Sequence, residues 1–387
     1  MDLRPVDEKV FAKNSSIKAK IFSVTDQVPL EFRKSLGSSK LKVYSTQDEN
    51  YFVPEHFSFE GTSKELQYQC FLHTLSSFKD VWMSNIGSSN RDVVTKCLVH
   101  HALGHVLNSL KTIDEHDGMI ESGNEIGNVQ DQGFAQPKVL ILAPFRNRAY
   151  QFVTKMLEVC SSEGRVPVSH RSRFEKEFGP VNMDEEERKR ISRKPKDYQE
   201  MFSGNTDDCF RIGMSFKKRS VKLYSDFHQS DIIIASPLGL KMAIGVEGEN
   251  DFDIDFLSSI EVCILDSAEV FNMQNFDHLE FVFKHLNSIP KKAREIDFSR
   301  VREIFLNDWG SHYRQTVICS SYPSNDLNVL FKRDCQNLKG KMKFQLSYSD
   351  TVSKIIPNVR HLFRRFDVNS PAEIDSSRFE FFTTQVS

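Results

Sequence analysis

The sequence predicts an α/β fold, a parallel sheet flanked by helices, on three observations. Short apolar runs recur through the middle of the chain: KVLILA (138–143), FRIGM (210–214), DIIIAS (231–236), EVCILD (261–266) and QTVICS (315–320). Each is rich in β-branched residues and bounded by polar residues or Pro, as strands buried on both faces are. Between the runs lie stretches with apolar residues three and four apart, the spacing of crossover helices. The third observation is size: 387 residues, 39% hydrophobic and 27% charged, form a sizeable core with room for more than one unit.

In chain order, residues 1–60 are polar, carry Lys18, Lys20, Arg33, Lys34, Lys40 and Lys42 without periodicity, and are expected to be a loosely ordered arm. The main domain is expected over 61–345. From Ser63, ELQYQCFLHTLSSFKDVWM and RDVVTKCLVHHALGHVLNSLK predict two amphipathic helices, with NIGSSN as the turn between them. Residues 113–133 read as an exposed acidic loop. The apolar runs then follow as strands. A charged stretch at about 165–207, broken by Pro167, Pro180 and Pro195, is too long for a tight crossover and reads as an insertion. Residues 346–387 contain only the start of a further unit.

The charge balance, 51 Lys plus Arg against 53 Asp plus Glu for a net charge of -2, excludes a chain-wide basic excess, so nucleic acid would have to meet local patches. Two basic strings qualify, Arg188-Lys189-Arg190 with Arg193, Lys194 and Lys196, and Lys217-Lys218-Arg219. Their ordinary meaning is solvated loops; their functional meaning is phosphate or nuclear-import contact. The seven cysteines form no CxxC pair and are expected to be reduced thiols of an intracellular protein. The first residues hold no apolar signal segment, and no run spans a bilayer, so neither secretion nor a membrane is expected. His101 and His105 stand four apart but lack the Glu of a zinc-protease helix, and read as packing residues.

Ligands of α/β sheets bind beyond the carboxyl ends of the strands. After KVLILA come Pro144-Phe145-Arg146-Asn147-Arg148; after DIIIA come Ser236-Pro237-Leu238-Gly239-Leu240-Lys241; after EVCIL come Asp266-Ser267-Ala268-Glu269; after QTVIC come Ser320-Ser321-Tyr322. A strand ending in Asp is the layout that holds a nucleotide's magnesium. Such an NTPase also needs Gly-Lys-Ser/Thr to cradle phosphates, and the chain contains no such string; Gly61-Thr62-Ser63-Lys64 has the residue types in the wrong order.

In that order PFR, SPLG, DSAE and SSY resemble the PTR, TPG, DEAD and SAT motifs of the first RecA-like lobe of a superfamily 2 RNA helicase. The longer words QGFAQPKVLILAPFRNRA, RFEKEFG, FSGNTDDCFRIGMSFKKRSVKLYSDF, SDIIIASPLGL, DFLSSIEVCILDSAEVFNMQNFDH and DFSRVREIFLNDWGSHYRQTVICSSY are similar to the digestive organ expansion factor family, also called small nucleolar RNA-associated protein 25. The resemblance runs from about Gly61 to Lys343. It implies a RecA-like lobe followed by a truncated start of a second, and a nucleolar component of the small-subunit processome required for pre-rRNA processing. It implies pre-rRNA, small nucleolar RNA and processome proteins as partners, and no cofactor. Members usually carry a long acidic N-terminal extension and a complete second lobe, so a truncated form is expected here, with Phe379, Phe381 and Phe382 as exposed strand residues. Ser267 replaces the Glu that helps activate water, so Asp266, Ser267, Glu269 and Ser320 are expected to be vestigial and the lobe no enzyme. Arg146, Arg148, Ser236, Gly239 and Lys241 are the expected RNA-binding residues, by the backbone-gripping role of the PTR and TPG motifs. An active helicase and a scaffold that touches only proteins are the alternatives.

Overall fold

The computed structural model describes residues 17–22, 71–123, 129–161, 166–181, 185–217, 220–292, 296–346, 363–370 and 373–385. The Gly61 to Lys64 string and most of the expected arm lie outside them. The chain divides into two units, Met1–Ser347 and Tyr348–Ser387.

The first unit is built on a ten-stranded sheet. In chain order its strands are β1 (Ile17–Phe22), β2 (Asp80–Met83), β3 (Val139–Leu142), β4 (Val168–Ser169), β5 (Arg211–Lys217), β6 (Ser220–Leu223), β7 (Ile232–Ala235), β8 (Val262–Leu265), β9 (Gln315–Cys319) and β10 (Lys341–Leu346). The order across the sheet is β1-β10-β2-β9-β8-β3-β7-β5-β6-β4. From β10 to β7 every neighbouring pair is parallel, the expected architecture. The FRIGM run departs from it: β5 lies antiparallel to β7 and to β6. The short connection from β5 to β6 leaves no length for a crossover, so those two strands run antiparallel. A second departure is β1, an edge strand antiparallel to β10, drawn from the segment read as a loose arm.

Side chains alternate across the central strands into two cores. One face takes Val81, Met83, Val139, Ile141, Ile234, Ile264 and Val317 under helices α1 (Arg91–Glu121) and α2 (Arg146–Ser161). The other takes Trp82, Leu140, Ile233, Leu265 and Ile318 under α6 (Pro237–Ile244), α8 (Phe276–His285) and α11 (Asn325–Arg333). Burial on both faces makes those strands read as unbroken apolar runs.

Two expectations near the start of the domain are corrected. DVWM is a strand, not the end of a helix; the helical turns at 71–76 stop before Phe78, which has a left-handed φ of 58° and turns the chain into β2. NIGSSN therefore joins a strand to a helix. The acidic stretch begins as helix, since α1 continues to Glu121, where His116 Nδ1 meets Asp131 Oδ2 at 2.8 Å.

The insertion holds α3 (Arg171–Phe178), α4 (Glu185–Ser192) and α5 (Lys196–Phe202). Short helices complete the first unit: α7 (Ala268–Met273), α9 (Glu303–Leu306) and α10 (Gly310–Tyr313). In the second unit, α12 (Ile374–Gln385) carries Phe379, Phe381 and Phe382, so these are helical and not strand residues. No helix among the described residues is long and apolar enough to cross a membrane.

Candidate nucleotide and RNA edge

The carboxyl ends of β2, β3, β7, β8 and β9 form one edge, and the four quoted motifs follow the last four of these strands. Asp266 follows β8 directly, its backbone N–H donating to the Leu142 carbonyl at 2.8 Å. Its carboxylate takes a two-pronged grip from Arg148 in α2: Nε to Oδ2 at 2.7 Å and Nη2 to Oδ1 at 2.9 Å. Both side chains are almost fully buried, at 3% and 4% exposure. Burial alone would raise the Asp266 carboxyl, but the Arg148 guanidinium holds it below the ordinary carboxylate range. Arg148 also donates to Thr95 Oγ1 at 3.1 Å and to Gln151 Oε1.

Ser267 sits next to this pair in a left-handed conformation, φ 51° and ψ 47°, and precedes α7. Its hydroxyl donates to Asp266 Oδ2 at 3.1 Å and accepts from Arg91 Nη1 at 2.8 Å. Arg91 is the first residue of α1 and comes directly after the loop that follows β2. Its Nη2 reaches Ser321 Oγ at 3.4 Å. Ser321 donates its backbone N–H to Glu269 Oε2 at 3.0 Å and its hydroxyl to Oε1 at 2.7 Å. Burial pushes the Glu269 carboxyl up, against the hydrogen bonds from Ser321 and the charge of Arg91. Ser320, fully buried, accepts from Trp82 Nε1 at 3.0 Å. Arg148, Asp266, Ser267, Arg91 and Glu269, all buried, and the partly buried Ser321 thus form one continuous polar lattice.

The expected vestigial residues, Asp266, Ser267, Glu269 and Ser320, are brought together. Arg91 and Thr95 complete the lattice and were missed by sequence reading. A signal exists in the strand, the Gly-containing loop and the N-terminus of a long helix, and it is hidden because DVWM continues a helical spacing. Among the described residues no cluster of His, Cys, Asp or Glu is arranged to hold a metal ion.

The expected RNA-binding residues divide. Arg148 is committed to Asp266. Ser236, at 1% exposure, caps α6 by accepting the Gly239 N–H at 2.9 Å. Gly239 serves an internal approach: a Cβ there would lie 2.1 Å from the Phe210 carbonyl oxygen. All three positions are buried and engaged within the protein. Arg146 and Lys241 are only partly buried. Arg146 donates to the carbonyls of Glu177 and Cys209, each at 3.1 Å, and pairs with Asp207 at 3.1 Å. Lys241 Nζ lies 5.3 Å from the Phe281 ring centre.

Strand order, two-faced cores and an Asp-terminated central strand define a mostly parallel α/β domain whose strand-end Asp is paired with its own Arg148. The family model described as UTP25, NTP hydrolase-like domain, matches residues 78–342, and the chain belongs to that family. It is 38% identical over 311 residues to U3 small nucleolar RNA-associated protein 25 of Schizosaccharomyces pombe, covering 80% of this chain and 46% of the relative. It is 35% identical over 344 residues to Protein NUCLEOLAR FACTOR 1 of Arabidopsis thaliana, covering 82% of this chain and 46% of the relative. The chain therefore spans about half the length of these curated relatives. Among solved structures, the yeast DEAD-box splicing factor Prp28 matches at a TM-score of 0.39 and 12% identity, over 90% of this chain and 59% of that one, a likeness too slight to bear on the site.

Proposed function

We propose that the chain is a catalytically silent, DEAD-box-like part of the small-subunit processome, acting in pre-rRNA processing toward small-subunit rRNA. Pre-rRNA, small nucleolar RNA and processome proteins are its partners and the nucleolus its compartment. The relatives' names support the setting. The observation that carries the mechanism is the lattice: Asp266, the residue positioned to hold a nucleotide's magnesium, already has both oxygens on Arg148, and Arg91 stands beside it on Ser267. No Gly-Lys-Ser/Thr string is present to offset the cost of parting that buried pair. RNA is held without turnover, through Arg146 and Lys241, while Arg148, Ser236 and Gly239 keep the strand ends in place.

The test is ATP hydrolysis by the purified chain with magnesium and a pre-rRNA fragment, run beside filter binding of that fragment. The expected outcome is RNA binding that weakens with salt, with no hydrolysis above buffer. Magnesium-dependent turnover that disappears in Asp266→Asn would establish an active NTPase instead. Absence of RNA binding at low salt would leave a scaffold that touches only proteins, and a tagged chain spread through the cytoplasm would contradict the nucleolar setting.

A further inference from the structure

An exposed concentration of positive charge lies away from the lattice, in the helical hairpin of α4 and α5. Residues 189–196, KRISRKPK, contain five cations and no acid. Lys189, Arg190, Arg193, Lys194 and Lys196 are all exposed. Lys189 has a loose partner in Glu185 at 3.9 Å, while Arg190, Arg193 and Lys196 make no ion pair among the described residues. Glu186, Lys189, Arg190, Arg193 and Lys194 line a cavity of about 420 Å³. Four of those five are cations, so the cavity favours an anion despite Glu186 in its wall.

Two features make this a built surface. Gln199 Nε2 donates to the carbonyls of Ser192 at 3.1 Å and Lys194 at 2.6 Å, fixing the turn between the helices. The hairpin is also anchored to the strand-end edge. Met201 packs with Phe145 and Val270, and Asn147 Nδ2 donates to the carbonyls of Met201 at 2.8 Å and Ser203 at 2.6 Å. Phe145 and Asn147 follow β3, and Val270 lies in α7, so the cations are carried on a support rooted beside the candidate RNA edge.

An aromatic ring completes the surface. Tyr198 is 40% exposed, with its ring 4.5 Å from that of Phe202, which holds it in place. Lys194 Nζ lies 5.6 Å from the Tyr198 ring centre. Cations around an exposed, supported ring suit a strand that offers a phosphate and a flat base together. An acidic peptide would use the cations but not the ring, and duplex RNA keeps its bases stacked inside.

We propose that the α4–α5 hairpin is a second RNA-binding surface, specific for single-stranded RNA, with Lys189, Arg190, Arg193, Lys194 and Lys196 on the phosphates and Tyr198 stacking a base. The inference rests on the reading that this chain contacts RNA, and the experiment separates the two. A uridine 20-mer is titrated against the whole chain by filter binding at several salt concentrations, with circular dichroism as the check on folding. Changing Lys189, Arg190, Arg193 and Lys194 together to Ala should lower affinity at least about tenfold and flatten the logarithmic salt slope by about 3, at roughly 0.7 per phosphate contact on a single strand. Tyr198→Ala should lower affinity about tenfold with the slope unchanged. Lys241→Ala, on the strand-end edge, should flatten the slope by less than about 1.

If the fourfold variant keeps wild-type affinity and slope while Lys241→Ala weakens binding, the hairpin proposal falls and RNA contact at the edge stands. If the wild-type chain binds the pre-rRNA fragment but not the 20-mer, the hairpin proposal falls and the reading that the chain contacts RNA stands. If polyglutamate competes as well as the 20-mer and Tyr198→Ala has no effect, the surface belongs to an acidic protein segment and the RNA proposal is overturned.

Discussion

Strand β8 carries a buried carboxylate at each end, Glu261 before Val262 and Asp266 after Leu265, exposed by 1% and 3%. Only the Asp266 end is where an α/β sheet places a ligand. At the other end, Glu261 meets Lys138 at 3.2 Å, Arg302 at 2.9 Å and His105 at 2.9 Å. Burial would raise its carboxyl, yet Arg302, Lys138 and His105 hold it well below the ordinary range. Asp266 is satisfied just as completely, but chiefly by one arginine. The lesson is that the carboxylate at the ligand end of the strand is held by the same kind of charge pairing as the one at the other end, with less redundancy.

The largest effect should expose that difference. Arg148→Met leaves Asp266 buried without its partner, which costs about 3–5 kcal/mol. Lys138→Met leaves Glu261 with Arg302 and His105, so the loss is that of one charge-assisted hydrogen bond, about 1.5–3 kcal/mol. Urea denaturation of the whole chain measures both. Equal losses would show that Asp266 has support beyond Arg148, with Arg91 the next residue to change.

A smaller effect depends on pH. The folded pKa of Asp266 lies below its ordinary 3.8, so its stabilisation is complete above that value and disappears as pH falls through the depressed one. The stability gap between the wild type and Asp266→Asn should therefore stay level from about pH 8 to 5 and close below about 4. Glu269 carries the opposite sign. Burial raises its folded pKa above 4.5, so its contribution is whole below that value and declines as pH rises through the raised one. The wild-type advantage over Glu269→Gln should shrink with rising pH. Parallel pH profiles for the two variants would mean that the lattice titrates as one unit.

The same comparison shows what the sequence makes legible. Strands β3, β7, β8 and β9 are plain because sheet burial on both faces leaves unbroken apolar runs, and the strand-end rule then puts Asp266, Ser267, Glu269 and Ser320 on one edge. Strand β2 is hidden because its four residues continue a helical spacing, and only Phe78, with a φ no pattern reveals, separates the two. Strand β10 carried a signal in the alternation of KMKFQL, with Met342 and Phe344 buried. Arg148 reads as a surface cation because arginines usually are; its partner lies 118 residues away, and the Arg91–Ser267 contact spans 176. Local pattern therefore locates the edge, while the pairings that close it come from tertiary structure.

The smallest effect concerns a feature that the Asp266 end alone possesses. Ser267 is left-handed, at a cost of about 1 kcal/mol for a residue with a Cβ, whereas no residue from Ser258 to Asp266 has a positive φ. Its hydroxyl offsets that strain by linking Arg91 to Asp266. Ser267→Ala loses the hydroxyl, keeps the strain and leaves a buried Arg91 N–H without its acceptor, so it should cost about 1–3 kcal/mol. Ser267→Gly loses the same hydroxyl but relaxes the backbone, and should be more stable than the Ala variant by about 1 kcal/mol while staying below the wild type. Urea midpoints at constant slope resolve differences of that size. If the Gly variant exceeds the wild type, the Arg91–Ser267–Asp266 link contributes less than the strain it requires. The Asp266 end would then depend on Arg148 alone, a sharper contrast with the threefold support of Glu261.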